Sequence, residues 1–389
     1  MNRSFWLDGG GARDWSGRRT LTGTLDDSDV SLTYEAGRVL RHQHGIVTPV
    51  GDDIFDALAE AMAPDDGDPS VHWVGYFGYA CNRSLPARPS ADPRVPDAVW
   101  MRKRLPTITD TDPIPPPDQA PRPAPAGVPP AYADAFARVQ EALLGGYSYE
   151  VNLTYREAIE SPRSPAEAYA RLRTQNPAPY AGFLAHGDMA LLSSSPERYA
   201  TITRDRLLET KPIKGTTPSS EDPARLAADP RYRAENLMIV DLLRNDLARV
   251  CEPGTVTVPV LMNVESYPSV HQLVSTVRGR LRPEVSTIDA LRALFPAGSM
   301  TGAPKRETMR IIDEVEPTPR GVYAGAFGWI SADGRADLGV VIRSLVATPC
   351  SEGWRYEYGT GGGITVHSDV DSEYAETRWK AERLRTAVE

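Results

Sequence analysis

Residues 131–157, AYADAFARVQEALLGGYSYEVNLTYRE, contain the two periodicities that decide the fold prediction. In the first half, apolar residues recur at the spacing of one helix face: Tyr132, Phe136, Val139 and Leu143. Two glycines then end the predicted helix, because glycine is unfavourable inside one. In the second half, apolar residues alternate as in a half-buried strand: Val151, Leu153 and Tyr155. The stretch therefore predicts a helix followed directly by a strand.

The same two periodicities extend over the rest of the chain. They predict further strands at 181–185, 189–193, 198–203, 255–260, 273–279, 322–330, 338–347 and 354–359. They predict helices at 164–174, 231–249, 287–294, 303–315 and 369–387, and one around Phe55, Leu58 and Met62. These elements follow one another without regular βαβ alternation, so we expect an α+β fold with much antiparallel pairing.

Prolines divide the chain into two parts. Ten of them fall between residues 106 and 130. Proline has no amide hydrogen to donate, so this segment is predicted to form neither helix nor sheet and to be an extended surface connection. We therefore expect an N-terminal part at 1–105, a proline-rich connection at 106–130 and a C-terminal region at 131–389.

Composition excludes several classes of protein. The formal charge of -9 over 389 residues opposes binding to phosphate backbones, so we expect no nucleic-acid partner. No apolar run approaches the roughly 18 residues of a membrane span, and the first residues lack the apolar segment of a signal peptide. Cys81, Cys251 and Cys350 form no CxxC pair, which is typical of a reducing compartment. We expect a cytoplasmic protein without a membrane partner.

Two glycine-containing segments each allow two interpretations. The cluster at 359–363 is either a turn or bulge, or a place where glycine amides approach an anionic ligand closely. Residues 295–305, FPAGSMTGAPK, read as a loop that runs into a helix, with Pro304 in its first turn. Ser299 or Thr301 is expected to cap that helix, and the free amides there favour an anion.

Charged residues at regular spacing are equally ambiguous when taken one by one. Glu373 and Glu376 share one helix face, as a solvated acidic surface or as oxygen ligands for Mg²⁺. The same alternatives apply to Glu235 on the helix at 231–249. Lys214 lies in ETKPIKGTT, residues 209–217, where a proline holds it in a defined direction. It is either a surface lysine or an amine nucleophile, which must lose its proton to react.

Together, segments between residues 147 and 382 resemble the chorismate-utilising enzymes. In chain order they are YEVNLT, SSSPERY, KPIKGT, AENLMIVDLLRND, VHQLVSTVRG, FPAGSMTGAPK, YAGAFGWI, VIRSL, GTGGGI and DSEYAETRWKA. The resemblance implies a large α/β sandwich with two subdomains, in which two antiparallel sheets have helices outside and chorismate between them. The N-terminal part is similar, more loosely, to the regulatory-like subdomain of these enzymes.

One residue distinguishes members of this family. Anthranilate-forming members have alanine in PIAGT, whereas this chain has Lys214 in PIKGT. In having this lysine, the chain resembles the members that aminate chorismate at C4. These members give 4-amino-4-deoxychorismate, in the para-aminobenzoate branch of folate synthesis. The resemblance implies that Lys214 attacks C2 and expels the C4 hydroxyl, and that ammonia then adds at C4 and releases the lysine. Glu197 matches the general acid that protonates the leaving hydroxyl.

Further roles follow from the same resemblance. It implies one substrate-binding set: Tyr323 and Arg343 on the enolpyruvyl carboxylate, Gly361 and Gly363 as backbone donors, Thr301 beside the ring carboxylate, and His271 near the reacting ring face without a proton-transfer role. It also implies a Mg²⁺ ion that holds the ring carboxylate of chorismate. Glu235 and Glu376 match its direct ligands, and Glu373 matches a carboxylate that acts through metal-bound water.

Two departures bear on the reaction. Residue 150 is commonly glutamine in amino-transferring members and lysine in water-adding ones, but here it is Glu150. The missing lysine argues against an isochorismate-type reaction, and Glu150 is hypothesised to steer or deprotonate ammonium. None of the three cysteines lies in the GxCxG-like turn of a glutaminase. We therefore predict a separate glutamine amidotransferase subunit, in a heterodimer, that delivers ammonia.

Three alternatives stay open. The chain could be an anthranilate synthase component, or another chorismate-aminating or isomerising enzyme of the same fold. It could also be a non-catalytic chorismate-binding subunit. The intact nucleophile, acid and metal positions argue against that last alternative.

Overall fold

The computed structural model describes residues 2–11, 13, 15–16, 18–115, 123, 126–267 and 270–389. The α-helices in these ranges are α1 (Ile54–Met62), α2 (Pro130–Leu144), α3 (Pro165–Gln175), α4 (Pro223–Ala228), α5 (Pro230–Ala248), α6 (Thr287–Leu294), α7 (Lys305–Val315) and α8 (Val370–Val388). No helix there is long and apolar enough to cross a membrane.

The strands fall into two groups along the chain. Those that precede α2 are β1 (Arg3–Asp8), β2 (Arg19–Thr24), β3 (Ser31–Glu35), β4 (Arg38–Gln43), β5 (Ile46–Gly51), β6 (Val71–Phe77), β7 (Ala98–Arg104) and β8 (Thr107–Asp110). Those that follow it are β9 (Glu150–Ser161), β10 (Tyr180–His186), β11 (Met189–Ser195), β12 (Arg198–Ile202), β13 (Leu207–Lys211), β14 (Ile213–Pro218), β15 (Thr257–Ser266), β16 (Val270–Arg280), β17 (Gly302–Ala303), β18 (Ala326–Ser331), β19 (Ala336–Val340), β20 (Ser344–Cys350) and β21 (Gly353–Ile364).

The strands form two antiparallel sheets. Sheet A has the order β17-β9-β21-β20-β11-β10-β1-β2-β8. Sheet B has the order β14-β16-β13-β12-β19-β18-β6-β7-β3-β4-β5, and β15 also pairs with β16. Each sheet thus combines strands from before and after the proline-rich segment. The predicted α+β fold with antiparallel pairing is confirmed.

Apolar side chains fill three kinds of interface. In the space between the two sheets, apolar residues of one sheet pack against those of the other: Phe5, Leu184 and Leu191 from sheet A, and Val74, Tyr76 and Val99 from sheet B. Helices α1, α5 and α6 cover the outer face of sheet B. Helices α3 and α8 cover sheet A, and α2 and α7 pack on its β9 edge. This is the sandwich with outer helices that the family resemblance implies.

The predicted strand at 338–347 is wrong in one respect, because it is two strands in different sheets. β19 belongs to sheet B and β20 belongs to sheet A. The chain crosses between them at residues 341–343, where Arg343 has a φ of 51°. A non-glycine residue in this left-handed conformation cannot continue a strand. The crossover therefore sets Arg343 between the two sheets.

Other boundaries also differ from the predictions. Strand β8 pairs with β2, so the expectation that 106–130 forms no sheet is wrong for Thr107–Asp110, where the chain has no proline. Residues 116–122, 124 and 125 of that segment lie outside the described residues. Helix α7 begins after Pro304, which is its N-cap, and no side chain caps it. The expected capping by Ser299 or Thr301 is therefore wrong.

Helix caps fix two elements that carry acidic residues. The side chain of Asp229 accepts a hydrogen bond from the first turn of α5, and Pro230 suits the first helical position. The side chain of Asp369 accepts one from Ser372 N in the first turn of α8. These caps set where each helix begins, and hence which of its residues point toward the sheets.

Candidate active site

A cavity of about 130 Å³ lies between the two sheets. It is enclosed by β9 and β21 of sheet A, by β14 and β16 of sheet B, and by α5 and α8. Nine of the eleven site residues predicted from the sequence line it: Lys214, Glu197, Tyr323, Arg343, Gly361, Gly363, Glu235, Glu373 and Glu376. Residues far apart in the sequence therefore meet at one place.

The backbone around Lys214 is shaped by its two special neighbours. Pro212 separates β13 from β14, and both strands pair with successive parts of β16. Gly215 has a φ of 88°, a conformation that L side chains rarely adopt, and a Cβ there would lie 2.8 Å from the ring of Tyr232. The sequence analysis did not predict these strands, but they hold Lys214 in one direction, toward the cavity.

The amine of Lys214 is buried among carboxylates. It donates a hydrogen bond to Glu150, and only 8% of its side chain is exposed. Burial lowers the pKa of this amine, but nearby carboxylates outweigh burial and raise it: those of Glu150, Glu235 and Glu197. In this state Lys214 carries its proton, and it needs an acceptor before it can act as a nucleophile.

Glu197 lies in the turn that joins β11 and β12. Its carboxylate accepts a hydrogen bond of 2.5 Å from Ser299 Oγ. Burial raises the pKa of Glu197 to about 7, although Ser299 and Lys214 act in the opposite direction. A carboxyl group with a pKa near neutrality is suited to donate a proton.

Glu235 on α5 is the most isolated of the acidic groups. Within the described ranges its carboxylate has no hydrogen bond and no ion pair. Burial raises its pKa to about 7; Lys214 opposes this shift, and Glu150 and Glu373 add to it. A buried carboxylate without a partner is unfavourable and fits a bound cation.

Glu373 and Glu376 lie on the first turns of α8 and differ in their partners. Glu373 accepts a hydrogen bond of 2.8 Å from Ser368 and lies 3.7 Å from Arg231. Burial raises the pKa of Glu373, and Glu376 adds to the shift. For Glu376, burial is outweighed by Lys380, whose amine lies 2.8 Å away, so its pKa is lowered.

All three carboxylates supply oxygen, the ligand atom that Mg²⁺ prefers. Among the residues that the structure describes, no group of three or more His, Cys, Asp or Glu side chains is arranged to hold a metal ion by itself. Mg²⁺ commonly takes only one or two protein carboxylates and completes its shell with water and substrate oxygens. The residues therefore fit an ion that is shared with a ligand in the cavity.

Arg343 and Tyr323 also line the cavity, and Arg343 brings positive charge to it. In the described part of the chain, the guanidinium of Arg343 makes no hydrogen bond and no ion pair. Burial and the nearby Arg383 lower its pKa to about 10. The ring of Tyr323 stacks under the guanidinium of Arg156, with 4.6 Å between the ring centre and Cζ. A half-buried arginine on a cavity wall, without a partner among the described residues, is suited to bind a carboxylate.

The glycine cluster at 359–363 is part of strand β21, so the interpretation as a turn or bulge is wrong. The strand pairs with β9 over its whole length, with Gly361 opposite Thr154 and Gly363 opposite Asn152. On its other edge, β20 pairs only as far as Glu357. The backbone groups beyond Glu357 on that edge are therefore left for other partners, and Lys380 donates a hydrogen bond of 2.9 Å to Gly361 O.

Two predicted residues do not reach the cavity wall. Thr301 is fully buried, and its hydroxyl bonds to the backbone oxygens of Gly298 and Gly302, while Ser299 and Met300 line the cavity. His271 on β16 contacts Ser266 Oγ at 2.8 Å and lies near two backbone oxygens of the 219–221 segment. Its neighbour Gln272 lines the cavity instead. The binding roles of Thr301 and His271 stay predictions.

Several lining residues were not predicted. Lys380 is four residues after Glu376, and Arg231 is four residues before Glu235, so the helical spacing of opposite charges was a usable signal for both. The contact of Ser299 with Glu197 joins residues 102 positions apart and had no local signal.

A pocket that combines a buried lysine, an unpaired arginine and several carboxylates is typical of enzymes that act on small carboxylic acids. The sequence matches the family described as chorismate binding enzyme over residues 4–386. The chain therefore belongs to the chorismate binding enzymes.

Individual relatives agree with this assignment. An aminodeoxychorismate synthase from Streptomyces pristinaespiralis is 47% identical over 266 residues, which are 67% of this chain and 36% of that protein. Aminodeoxychorismate synthase component 1 from Salmonella typhimurium is 43% identical over 265 residues, 66% of this chain and 57% of that protein. The chain thus spans less than two thirds of the length of these relatives. The crystal structure of anthranilate synthase component I from Streptococcus pneumoniae superimposes with a TM-score of 0.77 at 26% identity, over 96% of this chain and 93% of that one.

Proposed function

We propose that this chain converts chorismate and ammonia to 4-amino-4-deoxychorismate, with Lys214 as a covalent nucleophile. The observation that carries the proposal is the amine of Lys214, which opens on the same cavity as the carboxyl group of Glu197. Relatives called aminodeoxychorismate synthase, 43% and 47% identical over matched regions, support the same activity. The lysine at position 214, where anthranilate-forming members have alanine, distinguishes the two reactions.

The reaction proceeds in two displacements. The neutral amine of Lys214 forms a bond to C2 of chorismate, the ring double bond shifts, and the C4 hydroxyl leaves as water with a proton from Glu197. Ammonia then forms a bond to C4, the double bond shifts back, and the bond between Lys214 and C2 breaks. The extra proton of the new C4 ammonium returns to the Glu197 carboxylate. The sum is chorismate plus ammonia to 4-amino-4-deoxychorismate plus water.

Opposite walls of the cavity orient the substrate. Arg343 and Tyr323 hold the enolpyruvyl carboxylate, because a planar guanidinium meets a carboxylate with two parallel hydrogen bonds. The backbone of Gly361 and Gly363 contacts the same substrate. Mg²⁺, when bound, supplies positive charge for the ring carboxylate. Glu235 and Glu376 would hold it directly and Glu373 through water.

Ammonia comes from a partner in this proposal. The thiols of Cys81 and Cys251 are buried, and burial raises the pKa of each, which opposes the thiolate that a glutaminase requires. The name component 1, borne by the Salmonella relative, belongs to a protein with a second component. We therefore propose a heterodimer with a glutamine amidotransferase subunit. Cytoplasmic localisation stays a prediction from the sequence.

A product assay tests the proposal. The purified chain is incubated with chorismate, Mg²⁺ and ammonium at mildly alkaline pH, beside Lys214→Ala. Chromatography and mass spectrometry identify the product, which a lyase should convert to para-aminobenzoate. We expect 4-amino-4-deoxychorismate from the wild type and a marked loss in the variant. Anthranilate or isochorismate from the wild type would keep the fold and reject the proposed reaction.

A further inference from the structure

The only hydrogen-bond acceptor that the described residues offer to the amine of Lys214 is a carboxylate outside the cavity. Glu150, at the start of β9, is fully buried and does not line the cavity. One of its carboxylate oxygens accepts the hydrogen bond from Lys214 Nζ. The other, Oε2, is buried and has no hydrogen-bond partner within the described ranges. Glu150 is therefore linked to the cavity by its hydrogen bond with Lys214, which lines it.

The sheet makes room for this contact. Strand β21 runs beside β9 with Gly363 opposite Asn152. A Cβ on Gly363 would lie 2.3 Å from Glu150 Oε1 and 3.3 Å from Lys214 Nζ. Any other residue at position 363 would therefore force the Glu150 carboxylate to move from its place beside Lys214. The pair is a built feature of the site.

We infer that Glu150 is a further catalytic residue, the base that takes the proton from Lys214; the inference rests on the proposed function. A proton passes from the lysine ammonium to the Glu150 carboxylate, which leaves a neutral amine and a carboxylic acid. The lone pair of the amine then forms the bond to C2, as the C4–O bond breaks. When ammonia later adds at C4 and the bond to C2 breaks, Glu150 returns the proton to the departing lysine. No proton has to reach bulk water in either step.

The surrounding charges explain why an internal acceptor is needed. Glu197 faces the amine from the turn before β12, and Glu235 faces the pair from α5. Together with Glu150 they stabilise the ammonium form of Lys214. The lysine is also nearly enclosed, with 8% of its side chain exposed, and substrate in the cavity reduces its access to water. Within a buried pair, proton transfer removes two opposite charges from a low-dielectric site.

The half-reaction without ammonium isolates this step. Wild type and Glu150→Gln are mixed with chorismate and Mg²⁺, quenched at intervals, and analysed by intact mass for an adduct of chorismate less one water. The series is repeated from mildly acidic to mildly alkaline pH. Glu160→Gln is the matched control, because Glu160 is exposed on the same strand.

We expect the wild-type rate to be nearly flat below pH 7, because the proton of Lys214 stays within the pair. Above pH 7 the rate should fall, because Glu197, with a pKa of about 7, loses the proton that it donates to the leaving hydroxyl. Glu150→Gln should form the adduct about 100-fold more slowly near neutrality, the usual size of a general-base effect. Below pH 7 its rate should rise about tenfold for each pH unit, because the lysine must then lose its proton to solvent. Glu150→Asp keeps a carboxylate, so it should be slower than wild type with the same pH profile as wild type, even if Glu150→Gln folds poorly.

Three outcomes would overturn the inference. A Glu150→Gln variant with the wild-type rate and profile rejects the role of Glu150 alone. Normal adduct formation followed by slow reaction with ammonium assigns Glu150 to ammonium instead. If the wild type forms neither adduct nor 4-amino-4-deoxychorismate, the proposed function fails and the inference fails with it.

Discussion

Lys214 and Lys305 are two buried lysines that form the same kind of ion pair in different surroundings. Lys305 donates hydrogen bonds to Asp246, at 2.6 Å, and to the backbone oxygen of Leu294, at 2.8 Å, and it does not line the cavity. Lys214 pairs with Glu150 on the cavity wall. The exposed fractions of the two lysine side chains, 10% and 8%, are nearly equal. Burial alone therefore does not distinguish them.

The pKa directions do distinguish the two lysines. Burial lowers the pKa of Lys305, and its single carboxylate, Asp246, does not fully compensate. Lys214 is equally desolvated, but three carboxylates raise its pKa above the ordinary value. A closed pair with one partner is suited to join α5 to α7. Lys214 lies beside a cavity and among more carboxylates than it can pair with. A bound substrate or cation would change the electrostatic field around this amine and so its pKa, which is typical of a catalytic group.

The largest expected effect is the loss of reaction in Lys214→Ala. Removing a nucleophile that forms the covalent intermediate should lower kcat by at least about 1000-fold, or about 4 kcal/mol in barrier height. Steady-state production of 4-amino-4-deoxychorismate with ammonium measures it. Lys305→Met is the control, since it removes another largely enclosed amine that forms an ion pair and should retain activity in the folded fraction. Similar losses of activity in both variants would show that Lys214 has no catalytic role beyond that of a buried ion pair.

The next largest effect is on stability. Lys305→Ala leaves Asp246 buried without its cation, and we expect unfolding free energy to fall by about 4 kcal/mol. Denaturant unfolding monitored by circular dichroism measures the change. The double variant Lys305→Met with Asp246→Leu removes both charges and should recover most of the loss. If Lys305→Ala is as stable as the wild type, the pair is not structural.

Sequence periodicity predicted most of the helices and most of the strands after α2, but it located none of the strands β1–β8, and several other misses have identifiable causes. Helices α3, α5, α6 and α8 lie within two residues of their predicted bounds, since each has a clear apolar face. Strands β13 and β14 were missed because Pro212 interrupts the pattern. The division of 338–347 into two strands depends on the left-handed φ of Arg343, and arginine carries no sequence signal for that conformation.

The site was predictable only in part. The family resemblance named nine residues that meet at one cavity, which no periodicity could have brought together. It also included Thr301 and His271, whose side chains point to backbone oxygens and Ser266 instead. The position of Glu150 behind Lys214 depends on how β9, β14 and β21 are arranged across two sheets. Such a contact between distant segments requires the three-dimensional structure.

The burial of Glu197 beside the cavity predicts a pH-dependent stability. The pKa of Glu197 rises from 4.5 to about 7 on folding, so the folded state binds a proton that the unfolded state releases. This contribution to stability is fully present below about pH 4.5 and is lost as pH rises through about 7. A shift of this size corresponds to at most about 3 kcal/mol.

Glu197→Gln isolates that contribution, because glutamine accepts the Ser299 hydrogen bond without titrating. Unfolding free energies without Mg²⁺, measured across this pH range, should fall less steeply in the variant than in the wild type. Glu160→Gln, at an exposed position, should follow the wild type. Parallel curves for Glu197→Gln and the wild type would mean that Glu197 is ionised throughout, which would contradict its role as an acid.

The smallest expected effect concerns Arg343, whose positive charge lines the cavity without a partner among the residues that the structure describes. Removing a half-buried guanidinium that has no partner in the described ranges relieves desolvation, so Arg343→Gln should be as stable as the wild type without ligand, or more stable by about 1 kcal/mol. Chorismate should then protect the variant less, because a two-pronged contact to its carboxylate is lost. Thermal unfolding with and without chorismate measures both quantities, and Arg343→Lys should restore the charge but not the paired geometry. A variant that loses stability without ligand and binds chorismate normally would assign Arg343 to the crossover between the sheets, where its left-handed backbone already strains the chain.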